Sequence, residues 1–342
     1  MTSCRRPSTT ATGDAELRHS DRLRSLARHW WSFAEAYGDA RIRVDSIITR
    51  SLDASTRGDF DECERYARDV IATAGEGKNW TGYEKGLWML VCAHAFRGDR
   101  AESERCAHAM LESATKRNHQ QHRMWGFAGI AASRHWAGDE HAARTSLGSA
   151  RRLLGAVDSG SRSLFYGTAL SLELAFGDAA AIAATADSVA ADIKGVTGYV
   201  SASSRGTLVR AWLWLWDEAR RAGSSDAERY RVLARNTWRE LKSDAFLVPM
   251  TNSALALLDG EIQWREGKHA RAQAAWRKGL LAAERMHIPA DALHAHARLQ
   301  ETAPEHSPQR EAHLREATAL RERHGYLTSF PPLQDHPAPG IA

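Results

Sequence analysis

A Gly-Asp pair recurs along this chain at an almost constant interval. Gly58-Asp59, Gly98-Asp99, Gly138-Asp139 and Gly177-Asp178 stand 40, 40 and 39 residues apart, and weaker echoes at Gly223 and Gly267 follow after 46 and 44. A fixed period in this range is the signature of stacked helical hairpins. Each hairpin has an apolar face that it cannot cover alone and must lay against the next. The pair also suits the turn inside a hairpin: glycine can take the left-handed conformation that ends one helix, and aspartate can cap the next. Glu62 and Glu102 lie three residues beyond Asp59 and Asp99 and complete a capping-box spacing, as Glu228 does after Ser225. Asp139 and Asp178 have alanine at that third position, so only half the box is expected there.

The register tests the period independently of the turns. Eleven residues before each glycine stand Ile47, Leu87, Phe127, Tyr166, Trp212 and Ala256; nine after it stand Ala67, Ala107, Leu147, Ala186, Val232 and Trp276. These are the slots at which the two helices of a hairpin are expected to touch. Leu17, Leu23, Leu26, Trp30 and Phe33 share one side of a segment from Asp14 to Tyr37, read as a first capping helix, and Glu311 to His324 reads as the last helix. Leu153 to Gly160 and the Ser/Gly-rich stretch 195–206 read as loops between repeats, the second as the expected bend in the array. The expected organisation is a disordered tail over 1–13, a single array over 14–325 and a Pro-rich tail over 326–342.

Charge excludes some roles. The chain carries 46 Lys and Arg against 42 Asp and Glu, interspersed along helices, so nothing calls for a nucleic-acid partner. The most apolar stretch, Ala211 to Trp216, falls far short of a membrane span. Met1 to Gly13 contains no apolar run, so neither a secretory signal nor lipid attachment at Cys4 is expected. Cys4, Cys63, Cys92 and Cys106 do not form the dense framework of a small secreted scaffold, which points to the cytoplasm.

No motif announces catalysis. Gly75-Glu76-Gly77-Lys78-Asn79 fails as a phosphate loop, because Ala72 stands where the first glycine belongs and Asn79 where Ser or Thr must reach magnesium. Cys92-Ala93-His94 and Cys106-Ala107-His108 place their ligand types two apart, about 200° around a helix, so neither unit chelates by itself. His119 and His122 have better spacing but no acidic or thiol neighbour in sequence, and His294 and His296 share the two-residue problem. The paired acids fit helix N-termini. No enzyme, metal or cofactor is expected.

The turn-capped hairpins resemble tetratricopeptide-type repeats, with a longer period than that family's. Gly260, Gly267, Ala272 and Trp276 fall at its close-packing, turn, small and bulky slots. The stretch from Ala272 to Arg285, with Glu311-Ala312-His313-Leu314, resembles the ends of repeat arrays that follow ATPase modules in bacterial multidomain protein kinases and nucleotide cyclases. The expected fold is therefore all-α: a right-handed α-solenoid of about six tetratricopeptide-like hairpins with terminal capping helices. The resemblance implies regulation through a protein or peptide partner, such as a kinase, ATPase or cyclase module. A non-enzymatic scaffold is the first expectation, and a sensor for a small molecule or signalling peptide the second. An enzyme with an unrecognised site is the third. Trp214, outside the packing slots that take Trp212 and Trp216, is the candidate groove aromatic, with Arg210, Arg134, Glu173 and Gln263 as candidate polar partners on first helices of hairpins.

Overall fold

The computed structural model describes residues 29, 31–36, 39–196 and 199–326. Those residues form helices and turns with no strand among them. After a helical segment at 31–36 the order is α1 (Ala40–Arg57), α2 (Phe60–Glu76), α3 (Trp80–Phe96), α4 (Arg100–Lys116), α5 (Gln120–Trp136), α6 (Glu140–Arg151), α7 (Ser159–Phe176), α8 (Ala179–Asp192), α9 (Tyr199–Arg221), α10 (Asp226–Asp244), α11 (Asn252–Arg265), α12 (His269–Arg285), α13 (Pro289–Thr302) and α14 (Pro308–His324). Consecutive helices pack as antiparallel hairpins, and each hairpin lies on the next in a solenoid-like all-α arrangement.

The turns explain why the helices stop where they do. At Gly98, φ is +75°, and the following Asp99 N–H reaches back to the His94 carbonyl at 2.9 Å while its side chain caps the Glu102 N–H. The Gly58 and Gly138 turns repeat this bonding. Because the Asp59 and Asp99 N–H groups are already taken, Glu62 and Glu102 are not needed for the second half of a capping box; they pair instead with Arg57 and Arg65, and with Arg105. Gly177 departs from the pattern, with an extended backbone at φ −90°, ψ 173°, though Asp178 still caps α8. Ser225 makes no capping bond; the Ser224 hydroxyl accepts from Asp226 N–H instead. The turn after Gly223 is longer than that after Gly98 and the buried face of α10 falls two residues later, so the expected slot residue Val232 is 42% exposed and Ala234 is buried in its place. The alternate turns, between hairpins, need no glycine: Lys78, Asn118 and His287 take φ of 52–53°. The Gly75–Asn79 stretch is one of these, with Asn79 capping Gly82.

Two expectations about boundaries change. Stretch 195–206 is mostly helix, because α9 begins at Tyr199. Ser201 and Ser204 are buried helix residues: Ser204 and Ser163 exchange hydrogen bonds between α9 and α7, and a Cβ on Gly167 would stand 2.8 Å from the Ser204 hydroxyl. A seventh hairpin, α13–α14, also exists. Its turn carries His306 at φ 57° and no Gly-Asp pair, which hid it from the period count. Tyr326, placed at the start of a tail by its position, is buried. The tails 1–13 and 327–342, and all of the first capping segment except residues 29 and 31–36, lie outside the described residues.

The array returns on itself. His324 Nδ1 donates to the Gly98 carbonyl at 3.3 Å, and the Arg100 guanidinium lies against Gly325. A Cβ on Gly98 would stand 2.6–2.9 Å from His324, Tyr326 and Pro289, and one on Gly58 would meet Met286. The turns of the first two hairpins therefore pack against the last ones.

This gives a paired test. Gly223 (φ +63°) has nothing within 4 Å of an added methyl group, whereas Gly98 faces the closing contact. Gly223→Ala is expected to cost about 1–2 kcal/mol of backbone strain. Gly98→Ala should cost at least about 1 kcal/mol more through overpacking, measured by chemical denaturation. Equal losses would show that the closing contact is not stabilising.

Candidate functional site

Closure leaves a space inside the array. A cavity of about 510 Å³ is lined by the first helices of the hairpins, α3, α5, α7, α9 and α13, with the Val248–Ala254 segment and Tyr326 completing the wall. Such a volume is in the range of small-molecule sites. Trp88 and Trp125 form one side, with ring centroids 5.4 Å apart, and Trp125 is fixed by its indole N–H on the Ser161 hydroxyl at 2.9 Å. Trp136 forms another, packed at 5.2 Å against both His135 and Tyr326.

A smaller cavity of about 130 Å³ adjoins it, and His135, Trp136, Ser171, Thr207 and Arg210 line both. Trp214 lines this smaller space together with a buried charge network. Glu261 on α11 accepts from His294 Nε2 at 2.9 Å, Arg298 Nε at 2.6 Å and Arg265 Nη1 at 2.9 Å. Arg265 in turn donates Nε and Nη2 to the Asp217 carboxylate at 2.6–3.1 Å, and Arg210 faces Asp291 at 3.7 Å. Burial alone would raise the Glu261 pKa, but Arg298, His294 and Arg265 outweigh it and hold the carboxyl well below its usual range. Burial lowers His294 despite Glu261, so its neutral ring donates through Nε2. Desolvation alone brings His135 down to about 4.

The five groove candidates separate. Arg210 and Trp214 come together at the cavities. Arg134 instead pairs with Glu104 and Asp139, and Glu173 with Arg144, which tie helices to their neighbours, while Gln263 donates to Asp259 at 3.1 Å one turn back on its own helix. Trp212 and Trp216 are buried in the packing slots, Trp212 stacked on Tyr230 at 6.0 Å. Gly260 lets the Trp276 indole lie on the α11 backbone.

Two clusters carry metal-ligand types. His119 and His122 do have an acidic neighbour, Glu84 of the preceding hairpin, which the linear sequence separates by 38 residues from His122. Glu84 is already matched by Arg117 and by the Ser113 hydroxyl at 2.7 Å, so the group reads as a neutralised internal ion pair. The second cluster takes one residue from each Cys-x-His unit, His94 and Cys106, with Glu102; burial pushes the Cys106 thiol up to about 11. Among the described residues no helix is long and apolar enough to cross a membrane. Compared with known proteins, the chain matches no family model and no curated sequence.

Two consequences can be measured. Glu261→Gln keeps the shape but strands three cationic or donor groups, so a loss of about 3 kcal/mol is expected on denaturation; a loss under about 1 kcal/mol would contradict the network's role. For His135 the unfolded ring titrates near 6.5 and the folded one near 4. The unfolded state thus takes the proton first, and the stability supplied by the neutral buried ring is complete above pH 6.5 and lost as pH falls toward 4. That share of the loss should be about 3 kcal/mol, so His135→Phe should lose about 3 kcal/mol less than wild type between pH 7 and 4; equal losses in the two proteins would overturn it.

Proposed function

We propose that this chain is a non-enzymatic binding module of the tetratricopeptide-like type that encloses its ligand, a short peptide segment or a small molecule, inside the array. The observation that carries this reading is the closing contact of His324, Gly325 and Tyr326 with the Gly98 turn, because it turns the inner helix faces into cavity walls instead of an open groove. An open groove suits a long protein segment; a bore of about 510 Å³ suits a small occupant. Cys92 lies in the wall, but burial pushes its thiol up to about 12, which removes the thiolate that a nucleophile needs. The aromatic wall and internally matched charges favour binding over acid–base chemistry.

In this reading Arg210 lines both cavities and Trp214 the smaller one beside it, an occupant of the bore that extends into the smaller space meets both, and occupancy stiffens the contact between the ends of the array. A kinase, ATPase or cyclase module is the class of cytoplasmic partner that would read that change, following the resemblance of the C-terminal repeats. The reading is tested by thermal melts against a panel of short peptides and metabolites. A ligand of the bore is expected to raise Tm by several degrees, and Trp214→Ala should weaken that ligand's affinity more than tenfold. If no panel member shifts Tm while a protein partner binds the empty chain with a stable stoichiometry, the open scaffold role wins. If Trp214→Ala lowers stability by several kcal/mol with unchanged affinity, Trp214 is core and not site.

A further inference from the structure

The two Cys-x-His units of the second hairpin cannot chelate singly, but the fold brings one residue of each together. His94 near the end of α3, with Glu102 and Cys106 on α4, places a ring nitrogen, a carboxylate oxygen and a thiol sulfur all within 4.8 Å of one another. Glu102 and Cys106 stand four residues apart and share a helix face, and the hairpin turn at Gly98 lays that face against His94. Imidazole, thiolate and carboxylate together suit a borderline-soft divalent ion, zinc above all.

Two of the three donors are buried and unspent. His94 is 4% exposed and its Nε2 has no hydrogen-bond partner; Cys106 is 5% exposed and its thiol is free. An unmatched buried nitrogen is costly. An ion among these donors needs no open space beside them, since bonds of about 2.0–2.3 Å lie inside ordinary contact distance. Ligand atoms around a tetrahedral ion sit roughly 3.5 Å apart, so side-chain shifts of about 1 Å close the set. The other ring nitrogen, Nδ1, faces the Asp99 carboxylate at 3.7 Å, the kind of acid that orients a ligating imidazole by taking its remaining N–H. Burial lowers the His94 pKa and keeps the ring neutral, the form that ligates.

The neighbouring cations have acids of their own. Arg97, 3.4 Å from His94 Nδ1, pairs with Asp61 and Glu64, and Arg68 pairs with Glu64. Arg105 holds Glu102 from the solvent side, its side chain 73% exposed, and an exposed pair of this kind yields readily. That side gives an ion its way in.

We infer that His94, Glu102 and Cys106 form a zinc site that clamps α3 to α4 beside the Gly98 turn. His94 Nε2 and the Glu102 carboxylate supply lone pairs, the Cys106 thiol gives its proton to solvent as the metal–sulfur bond forms, and water takes the fourth position. The site stands apart from whatever the bore holds, and it steadies the turn on which His324 and Tyr326 close.

Cobalt(II) reports such a site, because a bound thiolate adds a charge-transfer band in the near ultraviolet and tetrahedral coordination intensifies the visible bands. Titrated into the reduced full chain carrying Cys4→Ser, one equivalent of cobalt(II) is expected to produce both, and zinc(II) to remove them. Cys106→Ser should abolish the thiolate band, whereas Cys63→Ser, equally buried, should keep it. His94→Gln should weaken cobalt at least about tenfold. Asp99→Asn retains a helix cap and should weaken it about tenfold through the lost carboxylate. Zinc should raise Tm by several degrees in the parent chain and not in Cys106→Ser. The Glu84, His119 and His122 group holds no thiol and cannot mimic the band. No cobalt binding, binding without the thiolate band, or a band that survives Cys106→Ser would overturn the site; an unchanged affinity in Asp99→Asn would overturn the part given to Asp99.

Discussion

His324, Gly325 and Tyr326 close the array by packing against the Gly98 turn, and the interior takes its form from that contact. A stack of hairpins without it has an inner face open along its whole length. With it, residues far apart in sequence become opposite walls: Trp88 of the second hairpin and Tyr326 beyond the seventh share one cavity. The contact is small, and its geometry depends on Gly98 lacking a side chain, since a methyl group there would press on three neighbours at once. The same glycine ends α3 in the left-handed conformation. One residue thus serves the local turn and the global closure.

Inside, the polar groups are handled in two ways. Most buried charges are matched within the protein, as Glu261 is by His294, Arg298 and Arg265, and Glu84 is by Arg117, Ser113 and His122. Matching of this kind offsets desolvation and adds little net stability, but it fixes the relative placement of neighbouring hairpins. His135 and Tyr326 differ in leaving a buried polar atom without a hydrogen bond.

The local rules were legible in the sequence, and the long-range ones were not. The Gly-Asp spacing located the turns because the glycine conformation and the aspartate cap act within a few residues, and the slot residues Leu87, Ala107, Trp212 and Trp276 are buried as their register requires. Ser204 misled because small polar residues look alike in a loop and at a close helix crossing; only the α7 neighbour tells them apart. Val232 misled because the longer turn shifts the register by two residues. Of the candidate site, Trp214 and Arg210 stood out by position, but Glu261, His294 and Arg298 gain meaning only through partners 33 and 37 residues away. Closure itself accumulates from small rotations at each hairpin, which no local motif records.

The account therefore turns on whether the ends of the array meet in solution. With Cys4 replaced by serine and the buried Cys63, Cys92 and Cys106 left in place, spin labels at Arg100→Cys and Arg323→Cys report the distance between the second and seventh hairpins. The closed array predicts a single short distance, that of neighbouring segments. An open stack would place these positions on the order of 50 Å apart, at ~10 Å for each of the five intervening steps, and a broad distribution centred there would contradict the account.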